Sequence, residues 1–253
     1  MSARRILFRK LGPERLWFCR GTVIERNLLA PAPPTLPVWD LPLRLVHWAM
    51  VALLVALVVT AKLHGGAMEW HVRAGESMLA LVLFRILWGF FGSRHARFAT
   101  FVRGPGAVLA YARSLLRPPH AQFAGHNPLG GWMVVLLLAA LLVQAALGLF
   151  ANDDIATEGP LARLISKDLS DAISSLHRRN AWLVVALSSV HVAAVLFHLG
   201  RFRENLIRPM IDGIKRVPDP MQDVAGGRAS PARALALFTL CALAVWLLVT
   251  RWP

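Results

Sequence analysis

Apolar residues along this chain gather into long runs, separated by charged segments that also carry Pro and Gly. The runs fall at Pro42–Ala61, Trp70–Gly92, Leu129–Phe150, Ser175–Gly200 and Ala232–Val249. A helix needs roughly 20 apolar residues to cross a bilayer, and the last run is just long enough. The pattern predicts an all-α membrane protein: a bundle of four transmembrane helices plus a fifth, C-terminal transmembrane helix. A shorter surface helix is predicted near Ala107–Leu116, inside a basic segment rich in Pro and Gly. The expected organisation is a basic, Pro-rich tail over residues 1–36, a four-helix core over 37–213, and a linker with the fifth helix over 214–253. The tail has room for a short amphipathic helix around Ile6–Cys19.

Composition agrees with the runs. The chain is 56% hydrophobic with a mean hydropathy of +0.52, which fits a membrane protein better than a soluble core. Lys and Arg number 28 against 14 Asp and Glu, a net charge of +14. In a soluble protein that balance would suggest nucleic acid. Here the basic residues cluster between apolar runs, so they report topology, and no nucleic-acid partner is expected. Segments before the first run, between the second and third, and after the fourth are arginine-rich. The link between the third and fourth runs instead carries Asp153, Asp154, Glu158, Asp168 and Asp171 against Arg163 and Lys167. The positive-inside rule then puts the N-terminus in the cytoplasm and the acidic link outside, in a multi-pass membrane protein. The apolar stretches near the N-terminus, such as Ile6–Phe8, are too short for a signal peptide.

The histidines add chemistry to this frame. His177 and His191 lie 14 residues apart in the fourth run, ~3.9 turns, and so nearly on one face at heights ~21 Å apart. Imidazoles at two depths of a membrane helix are costly unless something uses them. His47 stands near the start of the first run and His71 at the start of the second. The predicted topology puts His71 and His177 near the outer face, and His47 and His191 near the inner one. Each pair can supply both axial nitrogens of a haem, leaving no open position, which suits electron transfer rather than ligand activation. Gly75, four residues after His71, removes bulk where a porphyrin would lie against the helix. The two cysteines, Cys19 and Cys241, form no C-x-x-C-H, so the expected groups are two haem b, held non-covalently. Cys241 reads as a small core residue.

Alternatives remain at several positions. A histidine at a membrane-helix end is often simply interfacial. His198, seven residues after His191 and beside Arg201, competes with it but reads as interfacial. His64 competes with His71 from a Gly-containing link, and His95 and His120 read as surface residues. Arg73, Arg178 and Arg179 are candidate partners of haem propionates, since guanidinium groups bind carboxylates bidentately; equally, they read as snorkelling interfacial residues. Arg44 and His126 have the same options at the inner face, toward the other haem or a quinone headgroup, and His126 also fits a loop residue with a backbone partner. Arg85, midway along the second run, should face the interior and have a partner; by type, Gln144 and Glu76 are candidates.

The combination of RLVHW opening the first run, WHVRAG the second and GHNPLGGW the third, with His177 and His191 on the fourth, resembles the bacterial cytochrome b561 and nickel–iron hydrogenase b-type cytochrome family. The resemblance spans about Val38–Gly213. It implies a two-haem membrane core that passes electrons between the quinone pool and a redox partner on the outer face, with His47, His71, His177 and His191 as iron ligands. SRHARF and GHNPLGGW look more like the branch that works beside small c-type cytochromes than the hydrogenase branch. The expected role is an electron-transfer cytochrome or redox-complex subunit, with quinone and a periplasmic c-type cytochrome or hydrogenase-like protein as partners. Two rivals differ in class: a histidine-based metal or proton transporter, and a haem-free membrane anchor. The first would cluster histidines at one depth with carboxylates among them, and helix-interior carboxylates are almost absent here.

Overall fold

The structure is a computed structural model that describes residues 35–63, 66–116, 123–216 and 230–251. The expected amphipathic helix at Ile6–Cys19, His64, His120 and most of the linker lie outside these residues. The elements in chain order are β1 (Thr35–Pro37), α1 (Leu41–Thr60), α2 (Ala67–Phe91), α3 (Phe98–Phe101), α4 (Pro105–Ser114), α5 (Pro128–Gly148), α6 (Lys167–Phe202), α7 (Ile207–Asp212), β2 (Ile214–Arg216) and α8 (Pro231–Arg251). Helices α1, α2, α5, α6 and α8 are long and apolar enough to cross a membrane. The all-α membrane bundle expected from the apolar runs is what the chain forms.

Local chemistry sets the helix starts. The Asp40 side chain accepts the Leu43 N–H at 2.7 Å and caps α1, and Pro42 sits in the first turn, where no partner for its nitrogen is lost. Asn127 caps α5 in the same way, accepting the Gly130 N–H at 2.7 Å ahead of Pro128. Helix α6 begins eight residues before the predicted Ser175, capped by Ser166 and with Asp168 in its first turn. Its first two turns are polar, so hydropathy alone could not assign them to the helix that follows.

Helix α2 is the centre of the bundle. α1, α5 and α8 all pack along it, and α6 packs along α5. Phe84 and Trp88 of α2 are almost fully buried against Leu43, Val46, Ala234 and Cys241. Met78 and Val82 meet Leu138, Leu141 and Val184, while Leu79 and Ala80 meet Leu149, Leu161 and Val245. Surrounded on three sides, α2 also buries a charge: Arg85 is 6% exposed. Its partners are not Gln144 or Glu76, the candidates by type. Arg85 Nη1–H donates to the Ala96 carbonyl at 3.4 Å, and the guanidinium lies 5.4 Å from the Phe98 ring. Those partners sit in the turn after α2, far from Gln144 in sequence, and only the chain reversal brings them to Arg85.

A two-stranded antiparallel ribbon fastens one end of the bundle, pairing Leu36 with Lys215 and Pro37 with Ile214. Gly213 permits it: φ is +84° there, and its carbonyl accepts the Val38 N–H at 2.8 Å. Lys215 is buried and donates to Glu204 Oε1 and to the Phe123 carbonyl, each at 2.7 Å. His198, expected at the interface, is 6% exposed, and its Nδ1 lies 2.9 Å from Glu204 Oε2. Burial alone would raise the Glu204 carboxyl, but the His198 hydrogen bond and the Lys215 ammonium hold it down to about 2.

Two consequences are measurable. Asp40 also accepts the Nε1–H of the buried Trp88 at 3.0 Å and the Ser93 hydroxyl. Asp40→Ala removes a cap and leaves the indole unsatisfied, and should destabilise the protein by about 2–4 kcal/mol in a thermal melt. Glu204→Gln should lower the melting temperature at neutral pH. Because the folded pKa is depressed, the wild-type advantage is complete above an ordinary carboxylate value of ~4.3. It should shrink as pH falls below that value and close near about 2; a gap independent of pH would contradict the Glu204 contacts.

Candidate cofactor site

A cavity of about 590 Å³ opens among α1, α2, α5 and α6, with walls that include Leu54, Leu57, Met78, Leu141 and Val184. His71 of α2 and His177 of α6 face each other across it, their ring centroids 6.3 Å apart and their planes at 80°. Each ring is held by its Nδ1. His71 Nδ1 lies 3.1 Å from the Leu57 carbonyl and 3.2 Å from Thr60 Oγ1. His177 Nδ1 lies 3.0 Å from the Gln144 carbonyl. A carbonyl only accepts, so both Nδ1 atoms carry the proton and both Nε2 atoms keep a lone pair. The His177 Nε2 lone pair accepts from Gln144 Nε2–H at 3.0 Å, and Gln144 Oε1 in turn accepts from Asn180 at 2.8 Å. Histidines that bind a metal through one nitrogen while anchoring the other on a carbonyl are arranged in this way.

Glycine shapes the same space. A Cβ on Gly148 would come within 3.1 Å of His177 Cε1, close enough that the ring would have to shift by a few tenths of an ångström. Gly75 lines the cavity, and a Cβ there would meet nothing within 4 Å, as expected for a position facing a flat group. Apolar walls, two Nε2 lone pairs from opposite sides and open space beside Gly75 fit a bis-histidine haem.

The cations expected near it divide. Arg178 lines the cavity, and so does Lys62, whose Nζ lies 5.6 Å from the Trp182 ring. Arg73 instead pairs with Glu69 on the exposed face of α2 and lies 5.4 Å from the Trp70 ring, and Arg179 is exposed. Sequence reasoning missed Lys62, which follows α1 by two residues, and the role of Gln144, which depends on how α5 meets α6. The polar loop after α5 forms the rim. Asp153 Oδ1 accepts the N–H groups of Thr157, Ile155 and Ala156 at 2.8–3.0 Å, and these bonds, that of Thr157 foremost, hold its carboxyl down to about 2. Asn152 ties the loop to α6 through Ser170, Asp171 and Ser174.

His47 and His191 are half-buried toward the other end of the bundle, near a second group of polar residues. His126 lies against Trp39 and Phe101, 4.6 Å from each ring. Burial, then the charges of Arg85, His191, His47 and His95, push its imidazole down to about 3. Its Nδ1 is buried with no hydrogen-bond partner, as is Nε of Arg44, so the backbone partner considered for His126 is not found at that nitrogen. His95, expected at the surface, is 7% exposed and packs edge-on to Trp39 at 6.5 Å. The basic stretch around it gave no sign of burial. Arg44 donates from Nη1 to the Ile211 carbonyl, and Trp48 Nε1–H to the Met210 carbonyl at 2.9 Å, fixing α1 to α7.

Comparison with known proteins agrees with this geometry. Residues 38–213 match the family described as prokaryotic cytochrome b561. Similar curated proteins include a "Probable Ni/Fe-hydrogenase B-type cytochrome subunit" of Bradyrhizobium diazoefficiens, 23% identical over 218 residues, covering 74% of this chain and 88% of the relative. A protein of the same name from Rhizobium leguminosarum bv. viciae is 22% identical, covering 72% and 89%. Another from Azotobacter vinelandii is 25% identical, covering 74% and 90%. No solved structure matches. With five membrane-crossing helices and a histidine-flanked apolar cavity, the protein is a multi-pass membrane b-type cytochrome of electron transfer, and the chain belongs to the prokaryotic cytochrome b561 family.

Proposed function

We propose that this chain is a di-haem cytochrome of the bacterial cytoplasmic membrane that carries electrons between the quinone pool and a redox partner on the periplasmic side. One haem b would take Nε2 of His71 and His177 as axial ligands, and the second those of His47 and His191. The observation that carries the reading is the facing of His71 and His177 across an apolar cavity, each with Nδ1 anchored on a helix carbonyl. The bound groups supply one-electron chemistry. The chain's own part is to fix the imidazole tautomers through Leu57 and Gln144, to leave no side chain at Gly75 and Gly148, and to exclude water with leucine, methionine and valine walls. Lys62 and Arg178, which line the cavity, are the favoured partners for propionates there. At the other end, Nε–H of Arg44 is a donor without a partner and Nδ1 of His126 a hydrogen-bonding position without one, which would suit a propionate or a quinone oxygen.

The arginine-rich segments favour an N-terminus in the cytoplasm, with the His71 end outward. The partner would then dock at the loop of Asp153, Asp154 and Glu158, whose negative charge suits a basic c-type cytochrome. A hydrogenase-like partner is the second reading, favoured by the names of the relatives.

Pyridine haemochrome analysis of the purified protein should give two haem b per chain. One per chain would sink the two-site reading, and none would favour a transporter or an anchor. His191→Ala should lose one haem and spare the other, read by the same assay and by the reduced-minus-oxidised spectrum. His198→Ala should retain both, because its ring is 6% exposed and packed against Phe202 and Glu204; the reverse result would move the ligand to His198.

A further inference from the structure

A separate cavity of about 510 Å³ lies where α2 ends and α8 begins, lined by Phe90, Phe91, Gly92, Arg97, Arg233 and Leu237. None of the cofactor chemistry reaches it. Its lining holds two arginines and no carboxylate, so the charges there are not balanced by the wall. Arg233 is anchored: Nη1–H donates to the Phe91 carbonyl at 3.2 Å, one of the α2 carbonyls that the end of a helix leaves without an intrahelical partner. Its other donors have no protein acceptor among the described residues, and neither does the guanidinium of Arg97. The rest of the lining is apolar, and Phe90 and Phe91 are 60% and 56% exposed.

The depth of the cavity narrows what it can hold. Phe91 closes a membrane-crossing helix, and Arg233 and Leu237 stand in the first two turns of another. Two helices that cross a bilayer therefore present this cavity at the level where hydrocarbon gives way to headgroups. A free anion in water has no use for the apolar half of such a lining. A molecule with a phosphate at one end and hydrocarbon at the other uses both halves.

We propose that the cavity binds an anionic phospholipid, with Arg97 and Arg233 on the headgroup phosphate and Phe90, Phe91 and Leu237 against the start of the acyl chains. Arg97 belongs to the family-matched segment and Arg233 to the helix beyond it. The lipid thereby bridges the core to α8 and helps to hold the fifth helix on α2.

The test uses the full-length cytochrome with its haem, delipidated in detergent and mixed with phosphatidylglycerol or with phosphatidylcholine of the same chains. Native mass spectrometry counts the lipid retained. The wild type should keep one phosphatidylglycerol per chain with a preference on the order of tenfold over phosphatidylcholine, since each interfacial arginine adds to the attraction for anionic lipid. R97Q/R233Q should lose that preference while its haem spectrum is unchanged. Leu237→Trp, which narrows the apolar part and leaves both arginines, should reduce retention of phosphatidylglycerol. Equal retention of the two lipids by the wild type would overturn the proposal, as would undiminished phosphatidylglycerol on R97Q/R233Q or on Leu237→Trp. Displacement of phosphatidylglycerol by millimolar inorganic phosphate would overturn it in favour of a free-anion site.

Discussion

On the proposed reading, the hydrogen bond from an imidazole Nδ1–H to a helix carbonyl is the contact on which this molecule's chemistry rests. In an apolar bundle a half-satisfied imidazole costs free energy, and a side-chain acceptor could itself rotate away. A helix carbonyl cannot. Leu57 belongs to α1 and holds the ring of α2, while Gln144 belongs to α5 and holds the ring of α6. Each ring is thus positioned by the helix that packs most closely on its own. The orientation of the two Nε2 lone pairs is a property of the packing of α1 on α2 and of α5 on α6, not of loop geometry.

That dependence explains why the bundle is built around α2. A helix that carries one ring of the site and packs against three others has little freedom to tilt. The buried guanidinium of Arg85 adds to the constraint, because its acceptor is the Ala96 carbonyl in the turn that follows the same helix. Asp40 adds a second tie, receiving Trp88 of α2 and Ser93 of that turn while it caps α1. The start of α1 and the end of α2 are therefore joined through one carboxylate, on the same two helices that carry His47 and His71.

Much of this was legible in the residues before any geometry. The membrane-crossing helices followed from apolar length alone, and the four histidines stood out because imidazoles are rare and costly at such positions. Helix starts at Asp40 and Asn127 are local and were readable to within a few residues. What was not legible depends on contacts between residues far apart in the chain. Gln144 was considered for Arg85 by type, yet it serves His177, because which face of α5 meets α6 is decided by packing. His95 sits among arginines and so reads as solvated, although the turn after α2 folds it under Trp39. His198 looked like a ring at the membrane boundary until the chain beyond α6 returned with Glu204 and Lys215 to enclose it.

The two ends of the bundle differ in a way that bears on direction. At the His71 end, the cavity reaches Asn152, Asp153 and Thr157, so on the proposed reading the bound group lies against the loop where a partner would dock. That loop is held by its own N–H groups and by α6, so a partner there would meet a preformed surface and lose little by docking. At the His47 end, the neighbouring polar groups are enclosed rather than displayed: His95 and His126 pack against Trp39, and Lys215 of the ribbon donates to Glu204. An electron exchanged with a protein calls for the first kind of end, because only the carrier's edge must be approached. An electron exchanged with a quinone, an apolar carrier, calls for a site reached from within the membrane and lined by enclosed polar groups that hydrogen-bond its oxygens. On the proposed reading, the charge on the surface and the charge in the interior assign the two partners to opposite ends of the same stack.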